Sequence, residues 1–380
     1  MSRDDLVARV RTDVAAGLDP GAMLAVYADP SRRRALHERV RRAAHDELTD
    51  DEVERLAASL FGFGPLQPLL DDPLITDVLV NSPTEVYVER AGRLERSDVT
   101  FGSAAEVTEL AHRIAAGVGR ELTLERPFVD ARMRDGSRAN AVIAPVGGPS
   151  VSIRKFSRLS LDLSGPAPSW TADGALTEDA ARLLEDAVAA RANVLIVGAT
   201  GAGKSTLLRS LAARIPWTER LVVIEDTNEL VLPHPHVVHL EAMTARDQPI
   251  GTADLVANAL RMRPDRIIVG EVRTPSEASA LLDALTTGHD GSLTTAHAGS
   301  AQGAIDRLEL LLARAGENAP SAVRRHVLLA FDLVVHVARA GGRRVVQEIA
   351  CIEDGSVRGL WDATAGTPSP LPDRLRRRIA

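Results

Sequence analysis

One cysteine, Cys351, is all that the 380-residue sequence contains, and aromatic residues make up only 3% of it. A lone cysteine excludes an internal disulfide framework and any Cys-x-x-Cys metal site. No apolar run reaches the ~18 residues that a membrane-spanning helix requires. The first ten residues carry four charges and no apolar stretch, so they do not have the pattern of a signal peptide. We therefore expect a cytosolic chain that would meet a membrane only from outside the bilayer.

Lysine is nearly absent as well. Of the 45 basic residues only two are lysines, Lys155 and Lys204, and the formal net charge is -7. The negative charge and the scarcity of aromatic residues argue against direct nucleic-acid binding. A lysine kept in an arginine-rich chain can mark a position where a compact ammonium is needed, and Lys204 is such a position.

The composition divides the chain into four regions. Residues 1–60 are polar and arginine-rich, with apolar residues at helical spacing, and predict a helical N-terminal extension. Within it, Thr49 followed by Glu52 forms a capping box that predicts the start of a helix. Residues 61–160 combine short strand patterns with one helix pattern and predict an α+β domain. Residues 161–175 contain several Ser, Gly and Pro residues and predict a linker.

Residues 176–380 alternate between strand and helix patterns. The apolar run at 194–197 fits a strand that is buried on both faces, and further strands are predicted at 221–224 and 266–269. This alternation is the βαβ signature of a parallel sheet. The predicted fold class is therefore α/β, with a parallel-rich sheet preceded by the α+β domain and the helical extension.

A phosphate-binding pattern follows the first of these strands. The segment 198–206 matches G-x-x-x-x-G-K-[ST], and it leaves a strand and enters a helix, which is the context the pattern requires. Glycines let backbone N–H groups approach phosphate oxygens, and the helix N-terminus adds positive charge. Lys204 would neutralise the β- and γ-phosphates, and Ser205 would bind Mg²⁺. The predicted nucleotide-binding residues are Gly198, Ala199, Thr200, Gly201, Ala202, Gly203, Lys204, Ser205 and Thr206.

Acidic residues follow the next two predicted strands. Glu225, Asp226 and Glu229 come after 221–224, where a carboxylate is suited to orient or deprotonate an attacking water, although solvated loop acids would give the same pattern. The strand at 266–269 normally ends in an Asp that helps to hold Mg²⁺, but that position is Gly270 here and only Glu271 follows. Metal support would come from Glu271 through water, from the acidic cluster at 225–229, or from both. The predicted metal ligands are Ser205, Glu225 and Glu271.

Two histidines, His289 and His297, belong to a segment rich in Thr and Ser. Two histidines without further nearby ligands do not make a metal site. They predict either ordinary hydrogen-bonding residues or a sensor of the γ-phosphate.

Together these segments resemble the hexameric secretion ATPases of type II and type IV secretion and type IV pilus machines. The resemblance covers roughly residues 62–355. It rests on a Walker A box at 198–206, an Asp box at 224–230, an atypical Walker B box at 261–273 and a His box at 287–298. The missing Walker B aspartate is a trait of that family. The tight-adherence (Flp-type) pilus assembly branch is the most similar, on residues 63–66, 129–132, 135–138 and 152–156.

The resemblance implies a RecA-like ATPase domain at 176–380 that works in a homo-hexameric ring and binds ATP and Mg²⁺ against the N-terminal domain. Glu229 would be the general base, with Glu225 and Asp226 as second choices. Glu271 would orient water near the metal, and Lys204 would lie on the phosphates. The other implied catalytic residues are Arg138, Arg154 and Arg263 as charge-stabilising arginines, and His297 or His289 as the γ-phosphate sensor. Structural ion pairing is the alternative for each arginine.

The expected function is an ATPase motor that powers pilus assembly or protein secretion at the cytoplasmic face of the cell membrane. Attachment would be peripheral, through an inner-membrane platform protein. A type IV secretion ATPase that moves DNA or protein is the nearest alternative, with the same chemistry. A nucleic-acid motor predicts hydrolysis stimulated by DNA or RNA, and a non-enzymatic nucleotide-gated scaffold predicts assembly without turnover.

Overall fold

The computed structural model divides the chain into two compact units, Met1–Ser157 and Arg158–Ala380. It describes residues 29–45, 47–90, 93–133, 135–155, 161–243, 249–314, 320–364 and 366–379, together with residue 316 and single positions between 6 and 27. No helix in these described ranges is long and apolar enough to cross a membrane. The architecture is the predicted α/β class with a parallel-rich sheet.

Helices form the beginning of the first unit. They are α1 (Pro30–Ala43), α2 (Asp50–Phe61), a short 3-10 turn (Gly64–Leu66) and α3 (Gln67–Asp71). Helix α2 begins as predicted, since the Glu52 carboxylate accepts a hydrogen bond from the backbone N–H of Thr49 at 2.8 Å. The helical spacing near the N-terminus also fits, because Leu6, Val10 and Val14 are all buried in the same helical core.

A six-stranded antiparallel sheet completes the first unit. Its elements are β1 (Ile75–Ser82), β2 (Glu85–Arg90), β3 (Arg93–Arg96), α4 (Ala104–Gly117), β4 (Phe128–Arg132), β5 (Arg138–Val142) and β6 (Ser150–Arg154). The strand order is β3-β2-β1-β6-β5-β4, and α4 packs on β4, β5 and β6. Strand β6 covers the first part of the motif at 152–156, and Phe156 lies outside the described residues.

The first helix of the second unit is α5, and strands and helices follow it. Its elements are α5 (Glu178–Ala189), β7 (Val194–Val197), α6 (Lys204–Ala212), β8 (Leu221–Glu225), β9 (Val237–Glu241), α7 (Thr252–Ala259), β10 (Arg266–Val272), α8 (Pro275–Thr286), β11 (Leu293–Ala296), α9 (Ala301–Arg314), α10 (Pro320–Ala330), β12 (Leu333–Ala340), β13 (Arg343–Glu353), β14 (Ser356–Asp362) and α11 (Asp373–Ile379).

The sheet of the second unit has the order β14-β13-β12-β7-β11-β10-β8-β9. Strands β7 to β12 run parallel to their neighbours, and β13 and β14 extend the sheet in antiparallel fashion. Successive residues of β7 belong to two different cores, because side chains alternate across a sheet. Helices α5, α6 and α11 cover one face and α7 to α10 cover the other, which explains the continuous apolar strands.

The segment predicted as a linker, 161–175, packs into the core of the second unit. Leu163 and Trp170 are fully buried there. The indole N–H of Trp170 donates to the Ser210 hydroxyl on α6 at 2.9 Å. The segment is therefore tied to the helix that follows the phosphate loop. The domain boundaries expected at 60 and 175 stay predictions, and the one at 160 falls on residues outside those described.

A buried ion pair holds the amino end of β10. Arg266 is 1% exposed, and its guanidinium donates to both carboxylate oxygens of Glu219, at 2.8 and 3.0 Å. Arg191 binds the same carboxylate at 2.8 Å. A buried guanidinium requires this compensation, since an unpaired buried charge is strongly unfavourable.

Replacing Glu219 by Gln should therefore destabilise the second unit by about 3 kcal/mol, because the Arg266 charge would remain buried without a counter-ion. Urea unfolding followed by circular dichroism measures the loss. Glu353→Gln, which removes a partly exposed partner of Arg358, is the control and should cost less than about 1 kcal/mol. Equal losses in the two variants would show that the Arg266 pair is solvated like a surface pair.

Candidate active site

Four parallel strands of the second unit end at the same edge of the sheet. Strands β7, β11, β10 and β8 are successive neighbours, so the residues at their carboxyl ends lie side by side. Ligands of open α/β sheets bind at such an edge. It carries the loop that begins at Gly198, then His297, Glu271 and Glu225.

The phosphate loop adopts a conformation that two of its glycines make possible. A Cβ at Gly198 would lie 2.2 Å from the Val337 carbonyl oxygen of β12, so no larger residue fits there. Gly203 has φ +106° at the position just before α6, a value that L-residues rarely adopt. Helix α6 begins at the next residue, Lys204, and its N-terminus directs a partial positive charge at the loop.

The Lys204 side chain is folded onto this loop, and the residue is only 8% exposed. Its Nζ donates to the carbonyl oxygens of Gly198 and Ala199 at 3.1 and 3.2 Å, and lies 3.4 Å from His297 Nδ1. Burial lowers the pKa of Lys204, while the charge of Glu271 acts in the opposite direction. The structure thus brings together the predicted lysine, histidine and Walker B glutamate.

A continuous chain of polar contacts runs from His297 across the edge. His297 Nε2 is 2.7 Å from Glu271 Oε1, and Arg273 donates to Glu271 Oε2 through Nη2 at 2.6 Å. Arg273 Nη1 donates to Asp226 Oδ2 at 2.9 Å, and the Thr252 hydroxyl donates to the other oxygen of Asp226 at 2.8 Å. The contacts therefore link the phosphate lysine to the Asp box and the start of α7.

His297 sits between a cation and an anion. Burial and the Lys204 charge lower its pKa below the ordinary value, and Glu271 only partly opposes this. The imidazole is therefore mainly neutral near pH 7. His289, the other predicted histidine, precedes β11 and lies 3.2 Å from the Ala284 carbonyl oxygen at the opposite edge. Of the two histidines, only His297 lies at the phosphate loop.

Glu225 is the last residue of β8 and is 6% exposed. Its Oε1 accepts hydrogen bonds from the backbone N–H groups of Glu229 and Leu230 at 3.0 and 3.1 Å. Burial raises the pKa of Glu225 to about 7, although these two hydrogen bonds lower it. Glu229 itself is half-buried. The carboxylate of Glu225 thus binds the backbone N–H of Glu229.

The glycine in place of the usual Walker B aspartate has a steric reason in this structure. A Cβ at Gly270 would lie 2.9 Å from Cγ of Glu225 on the neighbouring strand. Side chains longer than hydrogen would therefore displace Glu225. The aspartate that is usual at position 270 is absent, and the side chain of Glu225 from β8 packs against Gly270 instead.

The three predicted arginines fall in two places. Arg138 and Arg154 lie in the first unit, directly opposite each other on β5 and β6, and both are exposed. Arg132 continues the same row on β4, and Arg154 Nε also donates to Asp77 at 2.9 Å. Arg263 is 85% exposed and stands before β10. Because the seven residues of β10 separate it from the carboxyl edge, Arg263 does not join the cluster of its own chain.

Sequence reasoning missed three arginines beside the phosphate loop. Arg209 on α6 is 6% exposed, and the charges of Glu225 and Glu229 act on it. Arg339 Nε donates to the Gly201 carbonyl oxygen at 3.2 Å, and Arg344 Cδ would lie 3.1 Å from a Cβ at Gly203. The last two belong to the β12–β13 hairpin, more than 130 residues along the chain, and no local motif marks them.

The residues present fit a Mg²⁺ ion that arrives with its nucleotide. Among the described residues, no group of three or more His, Cys, Asp or Glu side chains forms a protein-only metal cage. Mg²⁺ commonly uses one or two carboxylates together with substrate phosphates and waters. Oε1 of Glu271 is buried and makes no directed hydrogen bond, despite its close contact with His297. That oxygen and the exposed Ser205 hydroxyl are the groups available at this edge.

The chain is similar to known secretion proteins over most of its length. The family model for type II/IV secretion system proteins matches residues 60–354. A protein of Mycobacterium tuberculosis named for conjugal transfer is 39% identical over 86% of this chain and 96% of its own. The type IV secretion system protein VirB11 of Brucella suis is 36% identical over 77% of this chain and 89% of its own.

Two solved structures share the fold. The Legionella pneumophila ATPase DotB has a TM-score of 0.55 at 22% identity, covering 76% of this chain and 80% of DotB. The pilus retraction motor PilT, solved with bound ADP, has a TM-score of 0.54 at 22% identity, covering 73% of this chain and 80% of PilT. At that identity these structures support the fold alone.

The raised pKa of Glu225 predicts how stability depends on pH. The folded protein binds this proton more tightly than the unfolded chain, whose value is near 4.5, so the stability is present at low pH and is lost as the pH rises through about 7. Relative to Glu225→Gln, wild type should lose about 2 kcal/mol of unfolding free energy between pH 5 and 8.

Urea unfolding of the nucleotide-free protein in EDTA, at pH 5 and pH 8, measures this difference. Glu241→Gln is the matched control, because Glu241 pairs with Glu225 in register on β9 but is exposed. A constant difference between wild type and Glu225→Gln at both pH values would contradict the raised pKa.

Proposed function

The chain belongs to the type II/IV secretion system protein family, and from that premise we propose that it is an Mg-ATP hydrolase driving a membrane-associated pilus or secretion machine. The observation that carries the proposal is the contact chain from Lys204 through His297 to Glu271. A phosphate-binding lysine, a polar side chain and a carboxylate meet there at the carboxyl edge of a parallel sheet. This is a suitable arrangement for phosphoryl chemistry.

Each residue of the edge has a task in the proposed hydrolysis. The loop backbone and Lys204 bind the β- and γ-phosphates, exchanging the present carbonyl partners of the lysine for phosphate oxygens. Ser205 and Glu271 would hold Mg²⁺, which when bound supplies positive charge against the phosphate oxygens. Glu229 accepts the proton of the attacking water as general base. We place Glu225 outside the metal ligands, because its oxygens serve backbone N–H groups.

His297 and Arg273 set the position of Glu271. Arg273 donates to Oε2 through two nitrogens, and His297 lies against Oε1. Both contacts restrict the rotamers of the carboxylate, which lowers the entropy lost on reaching the reactive geometry. A neutral His297 also leaves the charge of Glu271 available to the metal.

We further propose that the chain works as a homo-hexamer in which arginines of the first unit stabilise phosphate charge. The support is the exposed row formed by Arg132, Arg138 and Arg154 on three adjacent strands. Three guanidinium groups on one face suit a triphosphate, because arginine binds phosphate oxygens in bidentate fashion. Arg263, exposed at the other edge of the second unit, would act only on a neighbouring copy.

Two cargo assignments belong to the same chemistry. The tight-adherence pilus branch is proposed on the motifs at 63–66, 129–132, 135–138 and 152–156. A type IV secretion role is supported by the relatives named for conjugal transfer and for type IV secretion. In both cases we propose peripheral attachment at the cytoplasmic face of the membrane through a platform protein. Introducing Lys204→Ala in the native host and scoring pili against DNA transfer distinguishes them.

Lys204→Ala should abolish ATP hydrolysis, because the phosphates lose the ammonium that lies on the loop. Phosphate release at saturating Mg-ATP measures this, with light-scattering mass recorded with and without nucleotide. Turnover by a particle of about six protomers is expected for wild type. Arg182→Ala is the control, because Arg182 is an exposed residue of α5. Undiminished turnover in Lys204→Ala would contradict the proposal.

Glu229→Gln and Glu271→Gln should each still bind ATP and lose turnover by about 100-fold or more, because the first removes the base and the second removes the carboxylate that would hold Mg²⁺ and orient water beside it. Binding of a fluorescent ATP analogue and steady-state hydrolysis separate the two effects. Glu241→Gln, an exposed acid on the same edge, is the control. Near-normal turnover in both variants would remove these residues from the mechanism.

A further inference from the structure

We infer that Glu225 is a positioning residue that fixes the backbone carrying Glu229, and that it is able to do so because position 270 is glycine. The inference rests on the proposed hydrolysis only where activity is concerned. Its structural part concerns two strands and one loop, and is testable without nucleotide.

Glu225 closes the turn that follows β8. Its carboxylate accepts from the N–H of Glu229 at 3.0 Å and from that of Leu230 through both oxygens at 3.1 Å. Hydrogen bonds to a charged or strongly polar buried acceptor are worth more than ordinary ones. The backbone of the proposed base is thus held by a side chain four residues earlier.

The neighbouring residue secures the other side of the turn. Asp226 accepts from Arg273 at 2.9 Å and from Thr252 at 2.8 Å. Glu225 is buried and Asp226 is exposed, so the two side chains hold the start of the turn through separate sets of partners. Glu229 therefore projects from a constrained backbone.

Gly270 provides the space in which Glu225 lies. A Cβ there would come within 2.9 Å of Cγ and 3.4 Å of Oε1 of Glu225. The first distance is shorter than side chains tolerate, and the carboxylate cannot move outward without losing the N–H groups of the turn. An aspartate at 270 and a glutamate at 225 consequently exclude each other in this arrangement.

The alternative role for Glu225 is that of a metal ligand, as the sequence predicts. The two roles differ in what they require of the side chain. Positioning requires an acceptor of the right length, which glutamine keeps. Metal binding requires the negative charge, which glutamine lacks. Glu225→Gln and Glu225→Ala therefore separate them.

The first experiment measures hydrogen exchange of the peptide that contains residues 229 and 230, in nucleotide-free full-length protein. Glu225→Ala should speed exchange there by about 10-fold or more, because both N–H groups lose their acceptor. Glu225→Gln should restore most of the protection. Gly359→Ala is the matched control for Gly270→Ala, because a Cβ at position 359 would meet nothing within 4 Å.

Gly270→Ala should speed exchange of the same peptide although Glu225 is still present, since the methyl group pushes the carboxylate away. In the Glu225→Ala background the same change should have little further effect, because the clash is gone. Gly270→Ala therefore tests the inference even if Glu225→Ala folds poorly. Independent, additive effects, or unchanged exchange in both single variants, would overturn it.

The second experiment measures hydrolysis. Glu225→Ala should lower kcat by about 100-fold with little change in KM, as expected for a misplaced base, and Glu225→Gln should recover most of this loss. If Gln were as impaired as Ala and needed far more Mg²⁺, Glu225 would be a metal ligand and the inference would fail. Absence of turnover in wild type would instead contradict the proposed function, and leave the exchange result standing.

Discussion

The parallel pairing of β7, β11, β10 and β8 decides which side chains meet in this protein. Parallel strands bring all their carboxyl ends to one edge, so residues that are about a hundred positions apart in sequence become neighbours. Lys204, His297 and Glu271 lie at the carboxyl ends of three different strands and still form one continuous row of polar contacts, and Glu225 lies at the end of a fourth strand. Every charge in that cluster is partly desolvated, and each is therefore stabilised by a specific neighbour rather than by water.

The same rule explains how far sequence reasoning could reach. The phosphate loop, Glu271 and His297 each follow a recognisable strand, so strand direction alone places them at the edge. Arg263 and His289 precede their strands, and for the same reason they lie at the opposite edge. The position of each residue before or after its strand therefore predicts the edge of the sheet at which it lies. The Walker B box at 261–273 is contiguous in sequence, which suggested that Arg263 lies near Glu271. In space the seven-residue strand β10 separates the two ends of the box.

Other parts of the site depend on long-range packing that no local pattern encodes. Arg339 reaches the loop only because β12 pairs with β7 and its hairpin returns over Gly201. Arg209 has the spacing of an ordinary helical residue, and only the fold turns it toward Glu225. Gly270 shows the limit most clearly. In the sequence it is a missing carboxylate, whereas in the structure it is space occupied by a carboxylate of the next strand.

Nucleotide binding would act on the contact chain at its Lys204 end. Lys204 now bonds to two carbonyl oxygens and approaches a mainly neutral imidazole, and all three are weaker partners for an ammonium than a phosphate. A bound triphosphate would draw the lysine away and remove the cation that lowers the pKa of His297. Burial, the larger cause, would still hold the pKa of His297 below its ordinary value, so Glu271 would keep a neutral neighbour. The chain of contacts continues from Glu271 through Arg273 to Asp226 by hydrogen bonds of 2.9 Å or less. These side chains join the phosphate loop to the start of α7.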